Sequence, residues 1–474
     1  MTLIEKAKYS SFNDTHTFAN CKLNRSEYGE FLADYLVGET DGFVLNINGS
    51  WGTGKTEFLK RMYTHLLERN HPTIYIDAWE SDFSNVPLSV VTSELITQLE
   101  SFSPEGETDE EWTRTKKCLG ALLKTSVSAI SVATTGTLVG QEVLSPILDL
   151  YEHPEALTNK VTQEHASQVE AVAEVKLALA ELADNLSGIF ESELPIIVLV
   201  DELDRCRPTY AIEMLEVIKH FFNTKHFVFA VATDSDQLCC SIKAVYGNDF
   251  NAEQYLKRFF DRKINLPEPD LHQYVQTLDI YNPNPIAVEL MGISRTNIVH
   301  VITKLVEAYN LKIRDIDQLV SKLNACLRSA EETHSRQSNK QLINFPALVI
   351  GLIEHHREYE SFYTRRFNKV SYQKVTKPDV LWGEDVGMDD YVEATMSYVN
   401  FMEVSYTDQW DRAVRENAFP RARDILQMYE NQSAERHNLL NTLMDYSNKY
   451  QTNSAKYWLW PDYQKVIELA GYIE

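Results

Sequence analysis

The chain has 474 residues, a formal net charge of −24 at pH 7 and a pI near 5.0. Its length predicts about two to four packing units rather than one core, and its 44% hydrophobic and 24% charged residues exclude a largely disordered or fibrous protein. The acidic surface would repel a phosphate backbone, which argues against broad nucleic-acid binding but not against a local basic groove.

Cysteines and apolar runs indicate the compartment. The six cysteines are scattered without a C-x-x-C pair, a spacing typical of the reducing cytosol rather than of disulfide frameworks or zinc sites. Residues 1–11 lack the apolar segment of a secretory signal. The longest uncharged run, residues 125–141, is rich in Ser, Thr, Gly and Ala, and falls short of the roughly 20 mainly apolar residues of a membrane span. We expect a cytoplasmic protein, with this run as a buried or interfacial helix.

The first half of the chain alternates between strands and helices. Residues 43–48 form a short apolar stretch of strand type that ends at a glycine-rich turn, and residues 57–69 have apolar side chains at helical spacing. A strand at 73–76 and a helix at 87–99 follow. The polar, acidic segment 101–112 predicts an exposed insertion, which we extend to about 101–170.

Two further strands complete the pattern. Residues 196–200 are an uninterrupted β-branched run, as expected for a central parallel strand covered on both faces, and residues 227–232 are another. The stripe over 172–186 spans only about two heptads, which favours a core-facing helix over a coiled-coil seam. Strands separated by helices predict a three-layer α/β domain with a parallel sheet over residues 1–268.

The second half has a helical pattern. Residues 282–285, Asn-Pro-Asn-Pro, mark a break, and residues 292–327 are typical of two helices. We predict a helical, lid-like subdomain over 269–335. Residues 336–474 alternate apolar and aromatic-rich stretches and predict an all-helical C-terminal domain, in which no motif indicates a function.

A glycine-rich loop carries the first functional signal. The pattern G-x-x-x-x-G-K-[ST] is matched in full by Gly49, Ser50, Trp51, Gly52, Thr53, Gly54, Lys55 and Thr56. In such a P-loop the backbone N–H groups surround a β-phosphate, and the helix N-terminus favours negative charge. Lys55 is expected to bridge the β- and γ-phosphates, and the Thr56 hydroxyl to ligate Mg²⁺. The loop predicts binding of a nucleoside triphosphate.

Acidic residues follow two of the predicted strands. Asp201 and Glu202 end the most apolar one in the form of a Walker B element, in which Asp201 would hold Mg²⁺ through water and Glu202 would polarise the attacking water. The carboxyl ends of parallel strands are where α/β sheets place their ligands. Thr233 and Asp234 lie at the next strand end. Either one of them contacts the γ-phosphate or the water, or Asp234 caps the following helix.

Arginines can neutralise the charge that develops in phosphoryl transfer. Any one of them is more typical of a surface ion pair, but we expect at least one to reach the phosphates. The candidates are Arg205, Arg207, Arg258, Arg262, Arg295 and Arg314.

These motifs together resemble the KAP family of P-loop NTPases. The resemblance covers about residues 15–330 and rests on the P-loop and on residues 76–80, 87–88, 200–206, 229–234, 255–260, 266–267 and 311–315. It implies an additional-strand NTPase related to the STAND group, with Trp79 as a family landmark and Arg314 as a sensor-like arginine over the nucleotide. Bacterial members are often found in phage exclusion and defence settings.

The chain departs from the family pattern at two places. Many relatives have two transmembrane helices between the Walker motifs, where this chain has only the run 125–141, so a membrane location is not expected. Relatives usually carry two aspartates where this chain has Asp201 and Glu202. This difference favours hydrolysis, because glutamate is the commoner base in this class.

The sequence as a whole predicts an enzyme that binds ATP and Mg²⁺ and couples hydrolysis to a conformational change or assembly. The expected partners are further copies of the chain or a protein effector. The alternative is a nucleotide-dependent switch or scaffold with slow turnover. A small-molecule kinase is disfavoured, because neither a second substrate pocket nor an arginine-rich lid is visible.

Overall fold

A computed structural model gives the architecture of most of the chain. It describes residues 2–39, 42–83, 87–102, 173, 175–184, 186–187, 193–221, 224–292, 298–365, 371–382, 386–397, 399, 402–407, 413–418 and 455–472. The predicted run 125–141 and nearly all of the predicted insertion lie outside these residues. The contacts within the chain divide it into two compact units, Met1–Glu268 and Pro269–Glu474.

A five-stranded sheet forms the centre of the first unit. Its strands are β1 (Val44–Asn48), β2 (Thr73–Asp77), β3 (Ile196–Asp201), β4 (Phe227–Thr233) and β5 (Arg262–Asn265). All neighbours are parallel, in the order β2-β3-β4-β1-β5. The predicted parallel sheet is confirmed. Strand β4 lies between the P-loop strand β1 and the acidic strand β3, as expected of an additional-strand NTPase.

Burial follows the position of each strand in the sheet. Every residue of β3 and β4 is buried, as their continuous apolar runs predict for strands covered on both faces. Strand β5 lies at the edge and is mostly exposed. The sequence analysis missed β5, because Arg-Lys-Ile-Asn has neither an apolar run nor a clear alternation.

Helices cover this sheet. The labelled ones are α1 (Leu3–Lys6), α2 (Phe12–Thr15), α3 (Ser26–Gly38), α4 (Lys55–Glu68), α5 (Pro87–Ser101), α6 (Pro208–Phe221), α7 (Ser235–Tyr246) and α8 (Ala252–Leu256). Helix α4 begins directly after the P-loop and buries Phe58, Leu59 and Met62 in the core. Residues 175–184 are also helical, with Val175 and Leu179 in the same core, so the core-facing interpretation is confirmed.

The second unit is largely helical. Its helices are α9 (Leu271–Gln276), α10 (Ile298–Ala308), α11 (Ile313–Gln337), α12 (Phe345–His356), α13 (Glu360–Thr364), α14 (Met388–Ser397) and α15 (Trp460–Gly471). The two helices predicted within residues 292–327 correspond to α10 and α11. Helix α15 packs against α11 and α12. Among the helices described, none combines the length and apolar character that a bilayer crossing requires.

The expectation of an all-helical C-terminal part needs a correction. The second unit also contains β6 (Val288–Met291), β7 (Lys340–Asn344), β8 (Met402–Thr407), β9 (Ala413–Ala418) and β10 (Ala455–Tyr457). Strands β6, β7 and β10 form a parallel sheet in the order β10-β7-β6, and β8 and β9 form an antiparallel pair. These strands have three to six residues. Segments this short give little periodicity to read, and the pairing of β6, β7 and β10 joins distant parts of the chain.

Candidate nucleotide-binding site

The P-loop and both acidic strand ends meet at one edge of the first unit's sheet. Strands β1, β3 and β4 run parallel and are adjacent, so Gly49, Asp201 and Asp234 all lie at the carboxyl ends of these strands. The Gly49 N–H donates to the Thr233 carbonyl at 3.0 Å, which continues the pairing of β1 with β4 by one residue. The structure therefore brings together the groups that the sequence placed at separate strand ends.

Two glycines adopt the backbone conformation that the P-loop requires. Gly52 and Gly54 have φ angles of 78° and 83°, in the left-handed region where side chains are unfavourable. A Cβ atom on Gly49 would lie 2.8 Å from the Thr53 Oγ1 atom, so the loop folds back tightly on its own first residue. The Thr53 hydroxyl donates to the Ser50 carbonyl at 2.7 Å. The loop is thus preorganised by contacts among its own residues.

Lys55 is held by two oxygen acceptors. Its Nζ atom donates to the Gly49 carbonyl at 2.8 Å and lies 3.3 Å from Oδ2 of Asp204. The Lys55 and Asp204 side chains are only 9% and 4% exposed, so this ion pair is shielded from water. The second Asp204 oxygen, Oδ1, is buried and has no hydrogen-bond partner among the described residues. Asp204 therefore keeps a free acceptor beside the phosphate-binding lysine.

Glu202 joins the acidic strand to the P-loop. The Thr56 hydroxyl donates to Oε1 of Glu202 at 2.5 Å, while the Arg205 Nε atom forms an ion pair with Oε2. Glu202 has a φ of 60°, which is uncommon for a residue with a side chain. Its carboxylate is thus fixed from two sides, at the end of β3 where the chain turns into a short 3-10 helix, Leu203–Arg205.

Asp201 is completely buried at the end of β3. Its Oδ2 atom accepts from the Tyr75 hydroxyl at 2.9 Å, and its Oδ1 atom accepts from the Glu202 N–H at 2.8 Å. Burial, reinforced by repulsion from the Glu202 charge, raises the pKa of Asp201 to about 6. A cation beside Asp201 would offset both effects.

Asp234 caps a helix and contacts the P-loop at the same time. Its Oδ1 atom accepts from the Gln237 N–H at 3.3 Å as the N-cap of α7. Its Oδ2 atom accepts from the Trp51 N–H at 2.9 Å. The helix-cap interpretation is therefore present in the structure, together with a role in holding the loop. A contact of Asp234 or Thr233 with the γ-phosphate or the water stays a prediction.

Arg25 supports the P-loop from behind and was missed by the sequence analysis. It is 3% exposed, and its guanidinium donates to the carbonyls of Thr53 at 2.7 Å and Pro267 at 2.6 Å. Burial lowers the pKa of Arg25 to about 10. Sequence offers little signal for this residue, because it lies 28 positions before Thr53 and outside any motif.

The predicted arginines have different surroundings. Arg205 pairs with Glu202, Arg207 pairs with Asp82 at 3.1 Å, and Arg262 donates to the Asp261 carbonyl at 3.0 Å. Arg258 is exposed after α8, and Arg314 is exposed in the first turn of α11, in the second unit. Arg295 lies outside the described residues. A role for Arg314 over the nucleotide stays a prediction.

The oxygen atoms at this edge fit Mg²⁺. The Thr56 hydroxyl and the Asp201 and Glu202 carboxylates are hard oxygen ligands of the kind that this ion prefers. The Thr56 hydroxyl gives its proton to Glu202 and keeps its lone pairs for a metal. The buried charge of Asp201 also favours a nearby cation.

The comparison with protein families decides the classification. The model described as "KAP family P-loop domain" matches residues 25–330, well over half of the chain. The chain belongs to this family. The resemblance inferred from the motifs is therefore confirmed, and residues 25–330 correspond to a P-loop NTPase domain.

The solved structures that are similar to this member of the KAP family share little sequence with it. No curated protein matches it. The structure of the ORC2 protein of Aeropyrum pernix, in ADPNP–ADP complexes, is similar with 12% identity over 69% of this chain and 67% of that chain, at a TM-score of 0.31. AMPPCP-bound DnaA from Aquifex aeolicus is similar with 11% identity over 93% and 99%, at a TM-score of 0.29. Likenesses at this level add nothing to the sheet order and the family assignment.

Proposed function

We propose that this KAP protein binds ATP with Mg²⁺ at the P-loop and hydrolyses it. The contact between the Thr56 hydroxyl and the Glu202 carboxylate, at 2.5 Å, carries the proposal. It places the residue expected to ligate the metal directly against the residue expected to act as base. A phosphate-binding loop without a base would bind nucleotide, whereas this arrangement supplies both parts of a hydrolytic site.

Each side chain has a defined task in the proposed reaction. Lys55 exchanges Asp204 for oxygens of the β- and γ-phosphates, and the loop N–H groups bind the β-phosphate. Glu202 takes a proton from water while the water oxygen bonds to the γ-phosphorus. The bond from that phosphorus to the bridging oxygen breaks, which releases ADP and phosphate. Thr56 and Asp201 would hold Mg²⁺, which neutralises phosphate charge when it is bound.

One observation favours slow turnover as the second candidate. Lys55 and Glu202 both have protein partners, namely Asp204 for the lysine and Thr56 and Arg205 for the glutamate. Nucleotide has to compete with the first of these contacts. A switch that holds ATP for long times and hydrolyses it rarely would use the same residues, with these protein contacts slowing the formation of the active arrangement.

Phosphate release by the purified full chain tests the proposal. We expect Mg²⁺-dependent release from ATP, which Glu202→Gln abolishes without weakening nucleotide binding. Lys55→Ala should lose the nucleotide-induced stabilisation, which at a ligand concentration of 100 Kd amounts to about 2.7 kcal/mol. Lys225→Ala is the matched control, because Lys225 is 60% exposed and forms a 3.7 Å ion pair with the half-exposed Asp184. An unchanged stabilisation in Lys55→Ala would count against the P-loop assignment.

The same variants separate the enzyme from the switch. If phosphate release is absent and ATP stays bound during gel filtration, the switch is favoured. If Glu202→Gln removes the activity of the protein in cells, turnover itself is required.

We further propose a cytoplasmic protein that assembles with itself or with an effector in defence against phage. The free thiols of all five described cysteines support a reducing compartment. The defence setting rests on the family resemblance alone. Light scattering with and without ATP tests assembly, and plaque counts on bacteria that express the wild type or Glu202→Gln test defence. Equal plaque counts for expressing and empty hosts would contradict the defence role.

A further inference from the structure

A second set of contacts connects Glu202 to the surface of the molecule. The Arg205 Nε atom pairs with Oε2 of Glu202, and the Arg205 guanidinium carbon lies 5.9 Å from the centroid of the Trp79 ring. The Glu202 side chain is 9% exposed, that of Arg205 38%, and Trp79 55%. The exposed indole therefore contacts the arginine that holds the buried carboxylate. None of these contacts is used by the proposed reaction itself.

Backbone contacts fix the position of Trp79. The Asp77 carboxylate at the end of β2 accepts from the N–H groups of Trp79 and Glu80, both at 3.0 Å. The Ala78 N–H donates to the Asp201 carbonyl at 3.0 Å, which ties the same turn to the end of β3. Trp79 is thus attached to the strand that carries the acidic pair, and its exposure does not imply a loose segment.

We propose that Arg205 is a positioning residue for Glu202, and that Trp79 keeps Arg205 in place. The inference rests on the proposed hydrolytic function. The Glu202 carboxylate has two anchors on opposite oxygens, and Thr56 is the only other one among the described residues. Without Arg205 the carboxylate turns about its contact with Thr56. The base then loses its alignment with the attacking water.

The chemistry of arginine suits this task. Its planar guanidinium keeps its charge at all physiological pH values. One face of this group can stack on an aromatic ring while the N–H groups, which lie in the guanidinium plane, donate to a carboxylate. A cation–π contact of a partly exposed arginine is weak, as is an ion pair with one exposed partner. Loss of Arg205 should therefore affect the alignment of Glu202 far more than the stability of the fold. A misplacement of about 1 Å at a reacting group can cost about 100-fold in rate.

The test measures steady-state phosphate release by the full chain over a range of MgATP concentrations, which gives kcat and KM separately. We expect Arg205→Ala to lower kcat about 10- to 100-fold, with KM changed less than about threefold. Arg205→Lys should recover part of kcat, since it retains the charge without the planar fork.

Two further variants complete the design. Trp79→Ala should lower kcat several-fold, and Trp79→Phe should recover most of it by restoring an aromatic face. Arg69→Ala is the matched control. Arg69 pairs with the exposed Asp34 at 2.6 Å and follows the C-terminal end of α4, whereas the P-loop precedes the N-terminal end of this helix. Loss of Arg69 should therefore leave kcat unchanged. Thermal midpoints of all variants show whether the fold is intact.

The outcomes are distinct. If the wild type releases no phosphate, the proposed function fails, and this inference fails with it. If the wild type is active and folded Arg205→Ala or Trp79→Ala matches it in kcat, only this inference is overturned. An equal loss in Arg69→Ala, or a rise in KM without a fall in kcat, would also overturn it. If Arg205→Ala does not fold, Trp79→Ala and Arg205→Lys decide by the same criteria.

Discussion

Asp204→Asn should strengthen nucleotide binding while it weakens the fold. In the structure Asp204 competes with phosphate for Lys55, since its Oδ2 atom lies 3.3 Å from the lysine Nζ. Asparagine has nearly the same shape as aspartate but lacks its charge. In the variant Lys55 retains its 2.8 Å hydrogen bond to the Gly49 carbonyl.

The size of the effect follows from the burial of the pair. Both side chains are less than 10% exposed, so solvent screens their attraction poorly. Hydrogen bonds to charged groups contribute about 1.5–3 kcal/mol, and loss of the Asp204 charge should lower the free energy of unfolding by about this amount. Nucleotide no longer has to break the pair, so its Kd should fall by the same free energy, about 10- to 100-fold. The loss and the gain should cancel when nucleotide is bound.

Urea unfolding and calorimetric titration measure both quantities. Experiments in EDTA with ATP avoid any contribution of Asp204 to a metal. We expect the wild type and Asp204→Asn to differ in stability without nucleotide and to converge at saturating nucleotide. Asp34→Asn is the control, because the pair of Asp34 with Arg69 is exposed. An unchanged or higher Kd in Asp204→Asn would refute the competition between Asp204 and phosphate.

Three further changes have clear expected results. Arg25→Ala leaves the part-buried Thr53 and Pro267 carbonyls without this donor and removes a buried side chain, so urea unfolding should show a loss of about 2–5 kcal/mol. The pKa of Asp201 is about 6 in the folded protein and 3.8 in the unfolded chain. The free energy that Asp201 contributes to folding therefore falls as the pH rises through this interval. Asp201→Asn should therefore stabilise the metal-free protein by about 3 kcal/mol more at pH 8 than at pH 3 while abolishing phosphate release. Arg314→Ala should slow hydrolysis more than it weakens ATP binding, and equal losses would indicate a structural role.

The sequence alone was sufficient to identify the motifs whose residues are continuous in the chain. The P-loop was recognisable because its glycines, its lysine and its threonine are continuous in the chain, and part of its conformation comes from glycines and a hydrogen bond within residues 49–56. The acidic pair Asp201 and Glu202 was recognisable because it ends an uninterrupted β-branched run, which is typical of a buried parallel strand. The strand-and-helix alternation likewise determined the parallel sheet of the first unit.

The tertiary structure decided which distant residues support these motifs. Arg25 reaches Thr53, Tyr75 reaches Asp201, and Trp79 reaches Arg205 because the order β2-β3-β4-β1-β5 brings separate chain segments to one edge of the sheet. Strands β6, β7 and β10 of the second unit have the same origin, since they pair across long stretches of the chain. Hydrophobic periodicity indicates which face of a segment is buried. The partner of a polar side chain depends instead on which distant segments the fold places beside it.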